Sequence, residues 1–579
     1  MIHISAQIAA LVRTAIEAAQ GAGDLPAFAV PDPIPVTRPK NEEHGDYATP
    51  VAMQLARLAK MAPPQIAEVI TNHFPASELI GSVELAGGFI NVRLSEDWLR
   101  AQVDVILAEG EQAAQSETHS GKRAQVECVS ANPTGPIHLG RIRGGVIGDA
   151  LARLLRAQGY TVEMEYYYNN GGKQMENLAA SIRARYLQQL GHAAEFPEAG
   201  YQGDYIAEIA SSLIEARGDS LVDSADLEPF RAYGEQVISG WQKASLARIN
   251  IEHDTFFNED TLYEQAVWDV LAMLEQRNLT YKAVQPRRED SDQAPPPDAD
   301  KGEAVCMRMM DLRDTVQDVI IVRSDGTPTY RLPDFAYHVD KFERGFDLML
   351  NVLGADHIEE AKDVKATMGA LGYDQERLQH VIHQFLKVVQ GGEVIRGSTR
   401  SGEYLALDDL LDMLLEHTTE SFAVDVVRYF TLAHNPNTHM TIDVDAATQQ
   451  TNENPVFYIQ NAHVRCAGIA REAADRGLDH SAGDVALLTD PQELRLIRKL
   501  VELPEIIQLA ADELEPHRLA YWAQEDLAAT FHPVYDEVRA IHTEVPEALT
   551  KARLKLYAAA QVVLRRVLDL MGMSAPERM

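Results

Sequence analysis

Three observations predict an α/β fold: a parallel sheet wrapped by helices, preceded by a small N-terminal α/β unit and followed by an all-helical C-terminal region. From "AQVECVSA" onward, short apolar runs alternate with long amphipathic ones, as in strands joined by crossover helices. After about residue 450 the strand-like runs stop, and helical segments at 454–477, 485–512, 515–543 and 550–572 follow. The 579 residues far exceed the roughly 250–300 at which one hydrophobic core stops growing, so several domains are expected.

Residues 1 to about 115 read as the small α/β unit. Ile8, Leu11 and Ile16 are spaced as on one helical face, beside Arg13 and Glu17; the segment lacks the basic start, compact apolar centre and cleavage site of a signal peptide. A loop bearing Pro31, Pro33, Pro35 and Pro39, a helix from about Ala48 to Lys60 and a strand in "GGFINVRL" follow. The polar run 108–123 is a linker. Strands of the parallel sheet are expected at 124–130, 161–168, 318–323, 347–353 and 380–389. The helix-like stretch 175–250 reads as an insertion outside the sheet, and the acidic, proline-rich stretch 284–305 as a mobile loop.

The composition, 46% hydrophobic and 24% charged, is that of a soluble globular protein. No run approaches the roughly 18 apolar residues of a membrane span, so no membrane crossing and a cytoplasmic location are expected. A formal charge of -35 argues against a DNA-binding protein or any other that holds nucleic acid by a global basic field. Local basic patches stay open. Segment 551–579 reverses sign, with Lys551, Arg553, Lys555, Arg565, Arg566 and Arg578 against Asp569 and Glu577; this suits either a polyanionic partner or a solvated helix face. The three cysteines, Cys128, Cys306 and Cys466, form no CxxC pair, so buried thiols are expected and no metal site.

The chemistry concentrates in "SANPTGPIHLGRIRGG", residues 130–145. Pro133, Gly135 and Pro136 break the chain between a strand and a helix, and free N–H groups at a helix start attract phosphate. His138 could donate hydrogen bonds there, and Arg141 or Arg143 could add fixed charge. Taken alone, an exposed histidine in an ordinary strand-to-helix turn accounts for the same residues.

The stretch resembles the HIGH signature of class I aminoacyl-tRNA synthetases, and "VECVSANPTGPIHLGRIRGG" looks like its form in arginyl-tRNA synthetases. "EEHGDYATPVAMQLA", "SDGTPTYRLPDFAYHVDKFERGFD", "VLGADH", "GSTRSGEYLALDDLLDML", "VRYFTL", "NPVFYIQNAHVR" and "LDLMGMSAPERM" match in the same order, so the resemblance covers essentially the whole chain. It implies a Rossmann-like catalytic domain over 116–450. Residues 1–115 would touch the tRNA elbow, and a helical anticodon-binding domain would span 451–579. It also implies ATP-dependent activation of L-arginine, Mg2+ bound with the ATP, transfer to the terminal adenosine of tRNA(Arg), and a monomer. Arginyl enzymes typically need bound tRNA before they activate the amino acid.

By that resemblance, His138, Gly140, Arg141, Gly354, Asp356 and His357 face ATP. "RGSTR" matches the KMSKS loop, giving Arg396, Ser398, Thr399 and Arg400 to the triphosphate, with His138, Arg141, Ser398 and Arg400 as the catalytic set. Tyr330 and Asp334 are assigned the guanidinium, and Glu127 and Asn132 the rest of the amino acid. Phe457, Tyr458, Tyr521 and Phe531 suit base stacking in the C-terminal domain. Two departures stand out: Arg141 replaces the second histidine of HIGH, and Arg396, Gly397 and Thr399 replace the common Lys, Met and Lys of KMSKS. A class I synthetase for cysteine or glutamate, a non-catalytic paralogue and a nucleotidylyltransferase are the competing readings.

Overall fold

The computed structural model of the chain describes residues 3–289, 302–395, 397 and 404–579. At the N-terminus, α1 (Ile4–Ala22) buries Ile4, Ile8, Val12 and Ile16. It precedes β1 (Tyr47–Thr49), α2 (Val51–Ala59), α3 (Pro63–Asn72) and the hairpin β2 (Ile80–Ala86) and β3 (Phe89–Leu94). These strands form an antiparallel sheet ordered β1-β3-β2. Next comes α4 (Glu96–Glu109), whose start is capped by the Ser95 hydroxyl accepting from Trp98 N–H.

The central sheet begins with β4 (Arg123–Glu127), α5 (Leu139–Ala157) and β5 (Thr161–Tyr168). The inserted helices α6 (Lys173–Gln189), α7 (Asp204–Arg217) and α8 (Glu228–Arg248) bury a separate cluster around Leu178, Ile182, Ile206, Phe230 and Ile238. That keeps most of the insertion off the sheet. Then come β6 (Thr255–Asn258), α9 (Ala266–Gln276), β7 (Thr280–Ala283), β8 (Ala304–Met307), β9 (Val319–Val322), α10 (Arg331–Glu343), β10 (Leu348–Gly354), α11 (Ile358–Ala370) and β11 (Leu378–His383). The central sheet is five-stranded, ordered β11-β10-β4-β5-β6, with every neighbouring pair parallel.

Two strand expectations are corrected. The 318–323 run is a strand, β9, but it pairs antiparallel with β8 in a separate sheet with β7. The fifth parallel strand is instead β6, "TFFN", whose Phe256 lies beside Tyr166 of β5. The 380–389 run divides between β11 and β12 (Leu386–Gln390). The latter pairs with β13 (Glu393–Ile395) and, in parallel, with β14 (Met440–Asp443). The chain breaks at Gln384, whose N–H bonds Pro436 O and whose carbonyl is taken by Arg143.

Helices α12 (Leu407–Leu415), α13 (Glu420–Leu432) and α14 (Val444–Ala447) lead into the helical region. It comprises α15 (Pro455–Asp475), α16 (Pro491–Leu500), α17 (Leu503–Asp512), α18 (His517–Tyr521), a π-helical stretch (Trp522–Ala528), α19 (Ala529–Glu537) and α20 (Glu547–Leu570). The expected single helix over 485–512 is broken, and Pro504 sits in the first turn of α17, where its missing N–H costs nothing. One apolar core runs from α1 through the parallel sheet to α20. Arg38 further ties the N-terminal unit to Glu502 and Glu505 at 3.0 and 2.9 Å. No described helix is long and apolar enough to cross a membrane.

Candidate active site

The carboxyl edge of the central sheet is built around the turn after β4. The chain leaves the strand through Val129 and Ser130, both left-handed, with φ of 67° and 41°. A β-branched residue there is strained. Ser130 N–H donates to Cys128 O at 2.9 Å, closing a three-residue turn. Helix α5 lies close against it: a Cβ on Gly148 would stand 2.5 Å from the Cys128 Cβ, so only glycine fits.

His138 is the N-cap of α5, its Nδ1 accepting from Gly140 N–H at 2.8 Å. A Cβ at Gly140 would come within 2.9 Å of that nitrogen. Glycine there is thus a condition for the cap. Desolvation first, and the Arg141 charge second, push the imidazole below its ordinary pKa. The neutral ring then carries its proton on Nε2, leaving that donor at the positive end of the helix.

Leu139 N–H bonds Leu405 O at 2.8 Å, and Leu407 N–H bonds Ile137 O at 3.0 Å. The His138 and Tyr404 rings lie 5.1 Å apart. The chain just after "RGSTR" is therefore pinned to the His138 turn, and β13 holds the chain just before it. Arg396, Ser398, Thr399 and Arg400 themselves lie outside the described residues.

Arg141 is half-buried, and its Nη2 stands 3.5 Å from His357 Nε2. His357 also meets Asp356 at 3.4 Å and Glu360 at 3.3 Å. Gly354 ends β10 and leads directly into Asp356 and His357, so the two motifs that the resemblance assigns to ATP adjoin. Arg143 does not join them, which corrects one of the two arginine readings. Its side chain is fully buried, donating to the carbonyls of Gln384, Asn435 and Thr438 at 2.9, 3.0 and 2.5 Å. Burial without a carboxylate pulls the guanidinium pKa down to about 10. The helical period accounts for the contrast: two residues along an α-helix reverse the face.

Helix α10 supplies the other wall. Tyr330 is its N-cap, 62% exposed, its hydroxyl donating to Glu360 Oε1 at 3.4 Å. Asp334 lies in the first turn, its side chain 36% exposed and its Oδ1 3.1 Å from His338 Nδ1. Glu127 ends β4, nearly buried. One of its oxygens accepts from Lys341 at 2.6 Å and the other from the Ser130 hydroxyl at 3.1 Å. Asn132 is exposed in the turn, its carbonyl held by Gln242.

Sequence reading missed Glu259, just after β6. It is 7% exposed, and its two carboxylate oxygens accept from the hydroxyls of Tyr263 and Tyr167 at 2.8 and 2.9 Å. Among the described residues no cation pairs with it. Burial raises its pKa, and the nearby Asp334 charge adds to the rise. A buried carboxylate held by hydroxyls, with a second carboxylate near enough to raise its pKa, can seat a guanidinium. The available signal was an acidic residue at the end of an apolar strand, and that strand went unread.

The basic C-terminal run resolves differently. Lys551 pairs with Glu547, Arg553 with Glu493, Lys555 with Asp104 and Arg566 with Asp569, all within 3.1 Å. Arg565 lies 3.8 Å from Glu577. Five of the six cations of this run therefore have a carboxylate within 3.8 Å, from α20 itself, the tail or neighbouring helices. Of the expected stacking aromatics, Phe531 is core at 0% exposure, Phe457 and Tyr458 are partly covered, and Tyr521 is open to solvent. Among the described residues no cluster of three His, Cys, Asp or Glu could hold a metal ion.

Comparisons with known proteins agree along the whole chain. Residues 6–94 match the family described as "Arginyl tRNA synthetase N terminal domain". Residues 102–285 and 298–441 match "tRNA synthetases class I (R), catalytic domain", and 459–579 match "DALR anticodon binding domain". An arginine–tRNA ligase of Heliobacterium modesticaldum is 38% identical over 100% of this chain and 99% of its own length. One of Salinibacter ruber is 39% identical over 95% and 97%. In fold, the chain is similar to the solved Thermus thermophilus arginyl-tRNA synthetase, with a TM-score of 0.72 at 22% identity over 98% and 99% of the two chains. It is likewise similar to the Plasmodium falciparum arginyl-tRNA synthetase, with a TM-score of 0.76 at 16% identity over 100% and 99%. The chain belongs to the arginyl-tRNA synthetases, aminoacyl-tRNA ligases of class I.

Proposed function

We propose that the carboxyl edge of the central sheet activates L-arginine with ATP, Mg2+ entering with the triphosphate, and passes the arginyl group to the terminal adenosine of tRNA(Arg). The arginine carboxylate oxygen attacks the α-phosphorus and pyrophosphate leaves; the adenosine hydroxyl then takes the acyl group and AMP leaves. Both steps depend on positioning and on stabilising charge as it builds on oxygen. His138 Nε2–H and the Arg141 guanidinium serve the phosphates at the α5 N-terminus. Gly140 keeps the cap, and Gly354, Asp356 and His357 border the adenosine. Arg396, Ser398, Thr399 and Arg400 close over the triphosphate from the segment whose following flank is anchored beside His138.

Tyr330, Asp334 and Glu259 take the guanidinium, and Glu127 with Asn132 line the α-amino end. The observation that carries this reading is Glu259: a buried carboxylate held only by hydroxyls, beside a second carboxylate, asks for a cation from outside. The chain would divide at about 115 and 450, with 1–115 against the tRNA elbow and 451–579 against the anticodon.

Charging of tRNA with each of the twenty amino acids tests the proposal. Arginine alone is expected to be attached. Arginine-dependent ATP–pyrophosphate exchange is expected to need tRNA, and exchange at full rate without it would refute that requirement.

A further inference from the structure

Behind Asp334 lies a hydrogen-bonded chain that the reaction as described does not use. Lys341 is 0% exposed, Asn351 2% and His338 3%. The Lys341 ammonium meets Glu127 Oε2 at 2.6 Å and Asn351 Oδ1 at 2.8 Å, and lies 4.3 Å from the Tyr337 ring centroid. Asn351 Nδ2 faces His338 Nε2 at 2.7 Å. His338 Nδ1 stands 2.8 Å from the Asp334 carbonyl oxygen and 3.1 Å from its carboxylate Oδ1.

The direction of every bond follows from one end. An ammonium only donates, so the Asn351 atom facing it is the carbonyl oxygen, and the amide nitrogen turns to His338. That nitrogen donates, so His338 Nε2 accepts and carries no proton. The ring proton is on Nδ1, shared between the carbonyl and carboxylate of Asp334.

We propose that His338 is a positioning residue: the Lys341–Asn351–His338 relay fixes it as the Nδ1–H tautomer, and its proton aims the Asp334 carboxylate at the substrate guanidinium. This rests on the reading that Asp334 binds that group. The relay runs from the closed interior to the open site, and its two ends are Glu127 and Asp334, the carboxylates assigned to opposite ends of the amino acid. A histidine serving helix packing alone would satisfy the carbonyl four residues back and have no bearing on arginine affinity.

Two variants separate these roles. His338→Asn keeps a donor near the position of Nδ1, whereas His338→Gln extends past it toward Asn351 and leaves Asp334 without one. In tRNA-supported exchange, His338→Gln is expected to raise the arginine KM about 10- to 100-fold, the worth of a hydrogen bond to a charged group. Its ATP KM should be unchanged, and His338→Asn should restore most of the arginine KM. Equal arginine KM in both variants, or losses confined to kcat or Tm, would overturn the proposal. Should His338→Gln not fold, 15N spectra of histidine-labelled enzyme, with the His338 signal assigned by its loss in His338→Asn, report the tautomer directly. A proton on Nδ1 is expected, and a proton on Nε2 would overturn the relay. Absence of any arginine-dependent exchange by the unaltered chain would instead sink the functional reading, while the tautomer measurement still decides the relay.

Discussion

The carboxyl edge of the central sheet and the C-terminal helices both gather charged side chains, and they commit them differently. At the sheet edge Glu259 has only hydroxyl partners, Asp334 is 36% exposed, and Arg141 meets an imidazole in place of a carboxylate. Along α20 the cations are already matched: Arg553 to Glu493, Lys555 to Asp104, Arg566 to Asp569. A cavity of about 920 Å3 beside α15 and α20 shows the same pattern, for its Arg471 bonds the Glu577 carbonyl and its Arg565 approaches the Glu577 carboxylate. The two regions differ in whether the fold supplies a counter-charge, although Arg143, buried among carbonyls, shows that lacking one does not by itself make a site. Local sign in the sequence does not reveal that.

The largest effect is expected on the sheet side. Asp334→Ala removes one of the two carboxylates proposed to take the guanidinium, and kcat/KM for arginine should fall about 100- to 1,000-fold, the cost of unpairing the substrate charge. The ATP KM should hold. A comparable loss in ATP KM would mean that Asp334 shapes the whole edge and not the amino-acid subsite.

Next comes the pair of arginines two residues apart. Arg143→Met removes the donor that joins three carbonyls, of which Asn435 O keeps others from Thr438, and should cost roughly 3 kcal/mol of stability, read as a lower denaturation midpoint with the arginine KM of the folded enzyme unchanged. Arg141→Ala should leave stability intact and lower the adenylation rate roughly tenfold or more, as loss of a charge facing the phosphates would. Arg141→His should retain ATP use. Equal adenylation rates in Arg141→Ala and the unaltered enzyme would remove Arg141 from the chemistry and erase the contrast between the two.

These neighbours also show what sequence could reveal. The alternation of strands and helices was legible because buried strands and amphipathic helices carry different periods. Sheet membership was not, since β9 has the same apolar pattern as a central strand yet pairs antiparallel with β8. The strand β6 is four residues long and follows a long helix, so its pattern is too short to register. The turn between β4 and α5 was legible because proline, glycine and histidine fall there between a strand-like and a helix-like run. Glu259 was not, because its nearness to Asp334 is made by packing between the short turn after β6 and α10.

A smaller effect tests how the helical region closes. Asp425 accepts from Ser574 N–H and Gln460 Nε2, both at 2.7 Å, clasping the C-terminal tail. Burial nevertheless pushes its carboxyl pKa up to about 6. A raised folded pKa means that the protonated form is the favoured one. The contribution is full below the ordinary carboxylate pKa and is lost as pH rises through about 6. The unaltered enzyme should therefore lose thermal stability between about pH 4 and 6 relative to Asp425→Asn, with no further loss above that, and parallel Tm profiles would show that Asp425 ionises without strain.

The smallest effect is expected at Lys555, and it bears most directly on the comparison. In sequence it is one of six cations in a run suited to a polyanion, but in the fold its ammonium sits 2.7 Å from Asp104 of α4, whose side chain is half exposed. A partly exposed pair of this kind is worth about 1 kcal/mol or less. If the pair is only a tie between α20 and α4, Lys555→Ala should shift Tm by a few degrees at most and leave the tRNA KM within about twofold, with the salt dependence of tRNA binding unchanged. Were Lys555 to leave Asp104 for a phosphate, the tRNA KM would rise and the slope of its logarithm against log salt would fall by about one. That result would mean that an internal carboxylate only parks the cation, and that the self-paired face of α20 opens when the nucleic acid arrives.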